Sequence, residues 1–451
     1  MTSFIAKPRE LFDRFDPKYV AFKRRAANFR YPAVKMGSLL SESPEYGAGE
    51  AGVERVDEAT PRYIRITDID ENGELLPGLG MTAANVEPQY FLRDGDLLFA
   101  RSGNTVGKSY LHESERVPYP CFYAGYMIRF RFGEKVLPKY VFAFTQTPYY
   151  HEWVSAIQRS AGQPNINAQE YRSLEIPLPP LPEQQKIVAE LDAAYVAKRA
   201  ADEKTTKLLA SIDDMVLNEL GIAKLPKPDT SLSSRIFSIP AREVTNATLA
   251  PDHYFDAIDF SKARYSCERF GERIDIDPPC GLEQITKLVP MEGVSAEWCA
   301  IESIEDISPD ATQGYSTFRG GDVIWARITP CMENGKSAVV EAEPSECFCG
   351  STEFLVFRPK DGKVNPYYLQ SILHLKRFRE VAAHHFTGTS GHQRVTADFF
   401  KAISIPIPPR SVQDRIASKA SSIRAAARKL KADATAALKS AKRKIEGIIL
   451  K

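Results

Sequence analysis

The stretch that most constrains the fold runs from Ile176 to Gly221. It opens as Ile176-Pro-Leu-Pro-Pro-Leu-Pro-Glu-Gln-Gln and continues without proline or glycine to Leu220. Proline lacks a backbone N–H and fixes φ, so the repeated prolines indicate an extended lead-in, and Pro182 suits a first helical position. The sequence therefore predicts one long helix that starts at this lead-in and ends near Leu220.

Mostly apolar residues recur along this helix in alternating steps of four and three. That period of 3.5 residues is typical of the contact line of a coiled coil. The predicted positions are Ile187, Leu191, Ala194, Lys198, Ala201, Thr205, Leu208, Ile212, Met215 and Glu219.

The same pattern returns 229 residues later, where Ile405-Pro-Ile-Pro-Pro409 repeats the lead-in and Gln413 matches Gln184. The equivalent positions are Ile416, Ala420, Ile423, Ala427, Leu430, Ala434, Ala437, Ala441, Lys444 and Ile448. Two amphipathic helices in one chain predict an antiparallel coiled coil. The residues expected to pair the helices are Ile187, Leu191, Leu208, Ile212, Met215, Ile416, Ile423, Leu430, Leu438 and Ile448.

Charge favours the same pairing. Residues 182–220 hold five Lys/Arg and eight Asp/Glu, whereas residues 410–451 hold twelve and three. Opposite charge on facing flanks favours pairing between unlike helices, although each exposed ion pair contributes little. The run Arg428-Lys-Leu-Lys431 also suits phosphates or an acidic partner, and a solvated helix face is the plainer alternative.

Length and composition limit the remaining possibilities. A chain of 451 residues is too long for one core, so several domains are expected. The net charge of +1 is low for a protein that grips DNA alone, so partners would supply much of any phosphate contact. The N-terminus has no signal-peptide core and no stretch suits a membrane span, which predicts a cytoplasmic protein. Seven cysteines without a Cys-x-x-Cys spacing suggest reduced thiols.

The segments before the two helices also repeat. Arg93-Asp-Gly-Asp-Leu-Leu-Phe-Ala-Arg101 matches Arg319-Gly-Gly-Asp-Val-Ile-Trp-Ala-Arg327, and Pro138-Lys-Tyr140 matches Pro366-Tyr-Tyr368. Short strands are expected at Tyr63–Thr67, Gly95–Arg101 and Met127–Phe132, with a helix from Leu137 to Arg159. The predicted fold is mixed α/β, with two repeated globular domains (1–180 and 222–409) and two long helices (181–221 and 410–451).

These motifs together resemble the specificity subunit of bacterial type I restriction-modification enzymes. The resemblance rests on the Gly-Asp-Leu-Leu-Phe-Ala-Arg-Ser-Gly segment, on Gly162-Gln-Pro-Asn-Ile-Asn167, on the proline-led helix and on their duplication in register. The second copy departs from the pattern at Gly391-His-Gln-Arg-Val395 and in the longer turn 328–334. These departures weaken any transfer of individual contacts to the second half.

The resemblance implies a non-catalytic, double-stranded DNA-binding subunit with two target recognition domains, each recognising half of a split sequence. The paired helices would set the spacing and dock two methyltransferase subunits, which would bind S-adenosylmethionine. This chain would need no cofactor or metal of its own. Restriction or translocase subunits are further possible partners of such a complex, and no membrane is expected.

The candidate DNA-contacting residues lie in two loops of each half. Arginine can fork onto guanine and asparagine onto adenine, whereas lysine and serine suit phosphate. For Gly95, Asp96 and Gly321 the closing of a tight turn is the preferred interpretation. The candidates are Arg101, Ser102, Asn104, Lys108, Gln163, Asn165 and Asn167 in the first half, and Arg327, Thr329, Asn334, Lys336, His392, Gln393 and Arg394 in the second.

Two other classes of function stay open at this point. Asp277-Pro-Pro-Cys280 is similar to the Asp-Pro-Pro-aromatic motif of amino-methylating enzymes, although its fourth residue is not aromatic and no cofactor loop precedes it. A protein-interaction scaffold built on the coiled coil is the second alternative. The histidines His384, His385 and His392 suggest a zinc site less well than a polar loop end.

Overall fold

The fold is described from a computed structural model. It describes residues 17–25, 29–158, 164–227, 256–280, 285–388 and 393–450, together with 229, 231, 233, 236, 238 and 239. The chain divides into two compact units. Unit 1 comprises Met1–Ala200 and Asp433–Lys451, and unit 2 comprises Ala201–Ala432. Much of the predicted link at 222–245 lies outside the described residues.

Unit 1 contains two four-stranded sheets and a strand pair. The sheet orders are β2-β9-β6-β7 and β3-β5-β4-β8, and β1 pairs with β10. The strands are β1 Ala33–Lys35, β2 Glu45–Tyr46, β3 Gly52–Glu54, β4 Arg62–Ile64, β5 Met81–Ala83, β6 Leu97–Ala100, β7 Ser109–Leu111, β8 Cys121–Tyr123, β9 Met127–Phe130 and β10 Glu175–Pro177. The shorter helices are α1 Pro17–Arg25, α2 Pro138–Thr145, α3 Pro148–Ile157 and α4 Ala168–Arg172.

The single helix expected at 137–159 is therefore two helices. Pro148 interrupts the helix because it has no backbone N–H to donate, and it restricts the preceding Thr147 to an extended conformation. The Thr147 hydroxyl then accepts a hydrogen bond from the Tyr150 amide and caps the second helix.

Unit 2 repeats the plan. Its larger sheets have the orders β12-β21-β18-β19 and β16-β13-β20-β17, and the pairs are β11-β24, β14-β15 and β22-β23. The strands are β11 Cys267–Arg269, β12 Ile274–Ile276, β13 Lys287–Val289, β14 Val294–Ser295, β15 Ala300–Ile301, β16 Glu305–Asp306, β17 Ser316–Arg319, β18 Val323–Ala326, β19 Ser337–Val339, β20 Cys347–Gly350, β21 Phe354–Pro359, β22 Phe386–Thr387, β23 Arg394–Val395 and β24 Ser404–Pro406. The shorter helices are Phe270–Arg273, Pro366–His374, Lys376–His384 and Ala397–Ala402.

The duplication predicted from sequence extends to strand order. The central strand β6 lies between β9 and β7, and β18 lies between β21 and β19. Each second sheet contains one parallel pair, β4 with β8 and β13 with β20. The proline lead-ins form the equivalent edge strands β10 and β24, where Ile176 and Ile405 are fully buried.

The repeated Gly-Asp segment is a buried turn. Asp96, which is 1% exposed, accepts hydrogen bonds from the Arg93 amide at 2.8 Å and from Arg131 Nε at 2.6 Å. In unit 2, Asp322 binds the Arg319 amide at 2.9 Å and forms a two-point ion pair with Arg358. Gly95 and Gly321 adopt φ of +82° and +86°, which glycine tolerates best. The interpretation of these residues as turn formers is confirmed.

The two long helices run from Leu181 to Leu220 and from Arg410 to Ile449. A buried glutamine fixes the start of each. Gln184 Oε1 accepts from the Leu137 amide at 2.8 Å, and its Nε2 donates to Pro179 O at 2.9 Å. Gln413 makes the same contacts with the Asn365 amide and Pro408 O, each at 2.8 Å. The repeated glutamine is therefore a structural contact between helix and globular domain.

Repeated tyrosines reinforce the same junction. Tyr140 donates its hydroxyl to Pro177 O, and Tyr368 donates to Pro406 O at 2.7 Å. Both side chains are fully buried. The tyrosine of the repeated Pro-x-Tyr segment therefore links each short helix to the proline lead-in that follows it, through one hydrogen bond.

The long helices lie antiparallel within each unit, as predicted. In unit 1, residues 181–200 accompany residues 433–449, with an ion pair between Glu190 and Lys444. In unit 2, Glu219 pairs with Arg415 at 2.9 Å and with Lys419 at 2.6 Å. The buried Thr205 hydroxyl lies 3.5 Å from Ala427 O of the other helix. The opposite charges of the two helices, predicted from the sequence, therefore form ion pairs between them.

The predicted 3.5-residue spacing is wrong at several positions of both helices. Tyr195, Val216 and Leu220 are buried where Ala194, Met215 and Glu219 were expected, and Ile445 and Ile449 where Lys444 and Ile448 were expected. Leu438, which was named as a pairing residue, is buried, whereas Ala437 of the 3.5-residue series is exposed. An α-helix has 3.6 residues per turn, so a strict 3.5-residue stripe drifts around it. The buried positions consequently move one residue ahead of the prediction.

Most of the residues expected to pair the helices face inward. Those that are almost fully buried are Ile187, Leu191, Ile212, Ile416 and Leu438, and those that are partly buried are Leu208, Met215, Ile423, Leu430 and Ile448. All of them except Leu208 and Leu430 join the hydrophobic cores of their own units. Each helix therefore packs on sheet and helix residues as well as on the other long helix.

The expectation that every cysteine is a free thiol is wrong for one pair. Cys280 and Cys347 form a disulfide across 67 residues of sequence. Cys280 lies in the loop after β12, and Cys347 begins β20. Their proximity depends on how the sheets pack, which the spacing of cysteines in the sequence does not show.

Candidate nucleic-acid interface

The two loops predicted to contact DNA in the first half lie side by side in unit 1. Ser102 and Asn165 form an isolated antiparallel bridge. The Gly103 amide donates to Pro164 O at 3.0 Å, and the Ile166 amide donates to Arg101 O at 2.9 Å. Residues that are far apart in the sequence thus contribute to one surface.

The equivalent loops of unit 2 meet in the same way. Ile328 bridges Arg394, the Thr329 amide donates to Gln393 O at 3.1 Å, and the Val395 amide donates to Arg327 O at 2.9 Å. Both units therefore place an equivalent backbone junction immediately after their central strand, with different side chains on it.

Arg101 and Arg327 occupy equivalent places at this junction. In each arginine, Nε is shielded from solvent and has no hydrogen-bond partner among the described residues. A buried donor left without an acceptor costs about 1–3 kcal/mol. The equivalent placement of this arginine in both units makes Arg101 and Arg327 the leading candidates at the two junctions.

The Arg101 guanidinium lies over an aromatic ring. Its central carbon is 4.9 Å from the centroid of Tyr46, which ends β2. The Tyr46 hydroxyl accepts a hydrogen bond from the Ala168 amide at 3.3 Å. Tyr46 is 39% exposed, so one face of this stack is open to solvent.

Several predicted residues present polar groups close to Arg101 and Arg327. Asn104 and Asn334 are exposed, and Asn165 and Gln393 are half-buried. Ser102 is mostly buried, and Thr329 donates its hydroxyl to the Glu333 carboxylate. Among the described residues, Asn104 and Asn334 are therefore the most accessible amides at the two junctions.

Three predicted residues have structural partners within their own unit. Lys108 Nζ donates to Ile69 O at 3.0 Å, and Lys336 Nζ donates to Met291 O at 2.8 Å. Asn167 caps helix α4 by accepting from the amides of Gln169 and Glu170, each at 2.9 Å. DNA contact by these three side chains stays a prediction, and each would compete with a contact already made.

Arg394 is held by an acid that the sequence analysis did not select. Its Nη2 lies 2.6 Å from Glu353 Oε1, and its Nε donates to the same carboxylate. These hydrogen bonds raise the pKa of Arg394, so the guanidinium stays charged. The Glu353 carbonyl also accepts from the Arg327 amide at 2.9 Å, which connects both arginines of unit 2.

Tyr126 occupies the place in unit 1 that Glu353 occupies in unit 2. Its carbonyl accepts from the Arg101 amide at 3.0 Å, and its side chain is 63% exposed. Tyr126 lies in the tight turn between β8 and β9, where an exposed aromatic ring is a signal that sequence reasoning could have used. Neither Tyr46 nor Glu353 had such a signal, because their importance depends on strand pairing. Gln163 and His392 lie outside the described residues.

The basic run of the second long helix is partly neutralised inside unit 2. Arg428 pairs with Glu302 at 3.0 Å, and Lys431 pairs with Glu297 at 2.6 Å. Both cations also lie over Trp298, at 5.8 and 5.5 Å from its ring centroid. A solvated helix face is therefore too simple a description of this run, since two of its members hold the helix to the globular part of unit 2.

The residues considered for catalysis or metal binding also have local partners. Asp277 accepts from the Val356 amide at 2.9 Å, His384 pairs with Asp256 at 2.9 Å, and the His385 ring lies 4.8 Å from that of Phe399. Among the described residues, no group of three or more His, Cys, Asp or Glu is arranged to hold a metal ion. No helix in the described part of the chain is long and apolar enough to cross a membrane.

Comparison with known proteins identifies the family. The model of the type I restriction modification DNA specificity domain matches residues 81–207 and 292–439, which together exceed half of the chain. The chain belongs to this family. Each matched stretch contains one of the two loop junctions and reaches into one long helix, so the family match itself is duplicated.

Relatives share parts of the sequence. The chain is 33% identical over 135 residues to the EcoAI specificity subunit of Escherichia coli. The aligned stretch covers 30% of this chain and 23% of that protein. The chain is 24% identical over 227 residues to the EcoKI specificity subunit of Escherichia coli K12, or 48% and 45% of the two chains. The alignments thus span less than half of these relatives. A chain from a solved type I R-M system aligns over 93% of this chain and 96% of its own length, at 18% identity and a TM-score of 0.48.

Proposed function

We propose that this chain is the DNA specificity subunit of a type I restriction-modification complex and that each unit recognises one half of a split DNA sequence. Family membership supports the general role. The observation that carries the proposal is the equivalent placement of Arg101 and Arg327, each with a shielded Nε that lacks a partner among the described residues. Arginine can bind guanine through two parallel hydrogen bonds, and such a pair discriminates against other bases by about 1–3 kcal/mol.

Different neighbours around the two arginines support recognition of different sequences. Around Arg101, unit 1 has Asn104, Asn165 and Tyr126. In unit 2, Arg394 takes the place of Asn165 and Glu353 takes the place of Tyr126, and these two residues form an ion pair. Asparagine suits adenine and a glutamate suits cytosine. A common backbone with unlike side chains is the arrangement expected of two recognition surfaces that share an origin.

The proposed complex divides its chemistry among subunits. This chain would be non-catalytic and would dock two methyltransferase subunits on its long helices, and those subunits would bind S-adenosylmethionine in the cytoplasm. Restriction or translocase subunits would join the same complex. The internal partners of Asp277 and Cys280 favour structural roles for the Asp-Pro-Pro-Cys segment.

Selection from a randomised duplex library, with and without the methyltransferase partner, tests this function. We expect one preferred split sequence and strong weakening of binding by salt, because phosphate contacts release counterions. Arg101→Ala and Arg327→Ala are each expected to weaken specific binding by about 1–3 kcal/mol. Asp94→Asn and Asp310→Asn, exposed substitutions in units 1 and 2, are the controls.

Three outcomes would contradict the proposal. Unchanged filter binding by both arginine variants would exclude these junctions from recognition. Binding of a protein partner through the long helices without any selected DNA sequence would favour the scaffold alternative. Methylation of DNA by the purified chain alone, supplied with S-adenosylmethionine, would show that it is a methyltransferase.

A further inference from the structure

Tyr46 connects the two loops that meet at Arg101. Its ring lies under the Arg101 guanidinium, 4.9 Å from ring centroid to the central carbon, while its hydroxyl accepts from the Ala168 amide at 3.3 Å. Its backbone is fixed by strand pairing with Ile128 of β9. One side chain thus touches the turn that begins at Arg101 and the helix that follows the second loop.

The stack can orient Arg101, whose buried Nε makes no hydrogen bond to another described residue. A free arginine side chain samples many rotamers. Ordering a flexible side chain on binding costs about 0.5–1.5 kcal/mol. A guanidinium already stacked on a ring avoids part of this cost and keeps its planar fork in one orientation.

Unit 2 differs from unit 1 in the surroundings of its junction arginine. Among the described residues, no aromatic ring lies under the Arg327 guanidinium, although its Nε is equally shielded. Counted along the strand register, Pro278 takes the place of Tyr46 at the corresponding sheet edge, directly after Asp277, whose amide donates to Val356 O. An aromatic support for the junction arginine is therefore a feature of unit 1.

We propose that Tyr46 is a positioning residue that orients Arg101 toward a base, so that its ring controls sequence preference at one position of the half-site recognised by unit 1. This inference rests on the proposed function. It assigns a role in recognition to a residue outside both loops, one that acts through Arg101 and contacts no phosphate itself.

The test uses the full chain with its methyltransferase partner and a randomised duplex library. Tyr46→Leu removes the ring, and Tyr46→Phe keeps the ring but removes the hydroxyl that binds Ala168. Tyr315→Leu is the matched control, since Tyr315 in unit 2 is also 39% exposed. We expect Tyr46→Leu to lower affinity for the selected sequence about 3- to 10-fold and to relax preference at one position. Tyr46→Phe and Tyr315→Leu should keep the wild-type preference.

A double variant separates positioning from a general structural role. In an Arg101→Ala background, Tyr46→Leu should cause no further loss of affinity, because the ring acts through the arginine. Full additivity, or equal losses for Tyr46→Phe and Tyr46→Leu, would overturn the inference while leaving DNA recognition intact. If the wild-type complex selects no split sequence, the proposed function fails and this inference fails with it.

Discussion

Asp96 and Asp322 are each only 1% exposed, and each forms an ion pair with an arginine 35 or 36 residues further along the chain. The ion pair raises the pKa of Arg131 and of Arg358, so both guanidinium groups stay charged. The same aspartates also close the turn before the central strand through a backbone amide. The Gly-Asp segment therefore repeats in the sequence because it fixes the strand that leads into the loop junction.

Asp96→Asn tests this assignment. Removing the Asp96 charge leaves the mostly buried Arg131 with the half-exposed Glu42 as its ionic partner among the described residues, and breaking a buried ion pair costs about 3–5 kcal/mol. We expect a loss of that size in the free energy of unfolding, measured by urea denaturation followed by circular dichroism. Asp94→Asn changes an exposed aspartate two residues away and should shift stability by less than about 0.5 kcal/mol. Equal unfolding midpoints for the two variants would contradict the structural role.

Lys442 provides a pH-dependent prediction in unit 1. Burial lowers the pKa of Lys442 from 10.5 to about 8, although the nearby carboxylates of Asp70, Glu71 and Glu74 oppose the shift. The unfolded chain then binds more protons at this site than the folded chain between pH 8 and 10.5. The free energy of unfolding should therefore rise across that window, by at most about 1.4 kcal/mol per pH unit.

Urea titrations from pH 7 to 10 can isolate this contribution. Lys442 Nζ binds Asn72 Oδ1 at 2.8 Å and Gln146 Oε1 at 3.1 Å, and it faces the Tyr195 ring and lies near His151, whose pKa burial lowers. Lys442→Met should remove the rise, whereas Lys439→Met, at an exposed position, should keep it. An identical pH dependence in wild type and Lys442→Met would refute the prediction.

At the scale of whole elements, the sequence predicted the two long helices because their pattern is local. Proline lead-ins, apolar spacing and charge need no tertiary information. The exact contact line was not predictable in this way, because it depends on how an α-helix drifts against a 3.5-residue repeat and on which face meets the sheets. Leu438 is buried and its neighbour Ala437 exposed for that reason.

Two adjacent substitutions test the revised contact line. Leu438→Ala should reduce the free energy of unfolding by about 2–5 kcal/mol, because it removes a buried side chain and leaves a cavity. Ala437→Lys, at the neighbouring position of the strict 3.5-residue series, should change stability by less than about 0.5 kcal/mol. Both are measured by urea denaturation. The reverse ranking would restore the 3.5-residue alignment.

Gln184 tests how a long helix is attached to its domain. The side chain is fully buried, and its loss would leave the Leu137 amide and two carbonyls without this partner. We expect Gln184→Ala to cost about 2–3 kcal/mol of unfolding free energy. Gln185→Ala, on the exposed side of the same turn, is the control and should be nearly neutral. A neutral Gln184→Ala would mean that packing alone fixes the helix start.

At the scale of the whole molecule, sequence repeats predicted two related units with unlike surfaces. The strand order of the sheets around β6 and β18 and both loop junctions agree with that prediction. The sequence did not identify Tyr46 or Glu353, because each reaches its arginine through strand pairing or a turn distant in the chain. Long-range pairing therefore limits what local patterns reveal about a recognition site, even when every loop of that site has been located.

Arg101 and Arg327 belong to different compact units, so their effects on DNA binding should be additive. Sites without shared partners usually add within about 0.3–0.5 kcal/mol. The double alanine variant should lose the sum of the single losses, and each single variant should relax only one half of the selected sequence. Binding is measured at one fixed salt concentration, since salt alone changes affinity strongly.

A pair from within one junction supplies the control for this additivity. Arg101 and Asn104 lie in the same turn, so the double variant Arg101→Ala/Asn104→Ala should depart from additivity, because neighbours share contacts and couple by about 0.5–3 kcal/mol. If Arg101→Ala/Arg327→Ala binds no more weakly than either single variant, independent recognition by the two units is wrong. Relaxed preference in both halves from one substitution would lead to the same conclusion, since a defect confined to one unit alters only its own half-site.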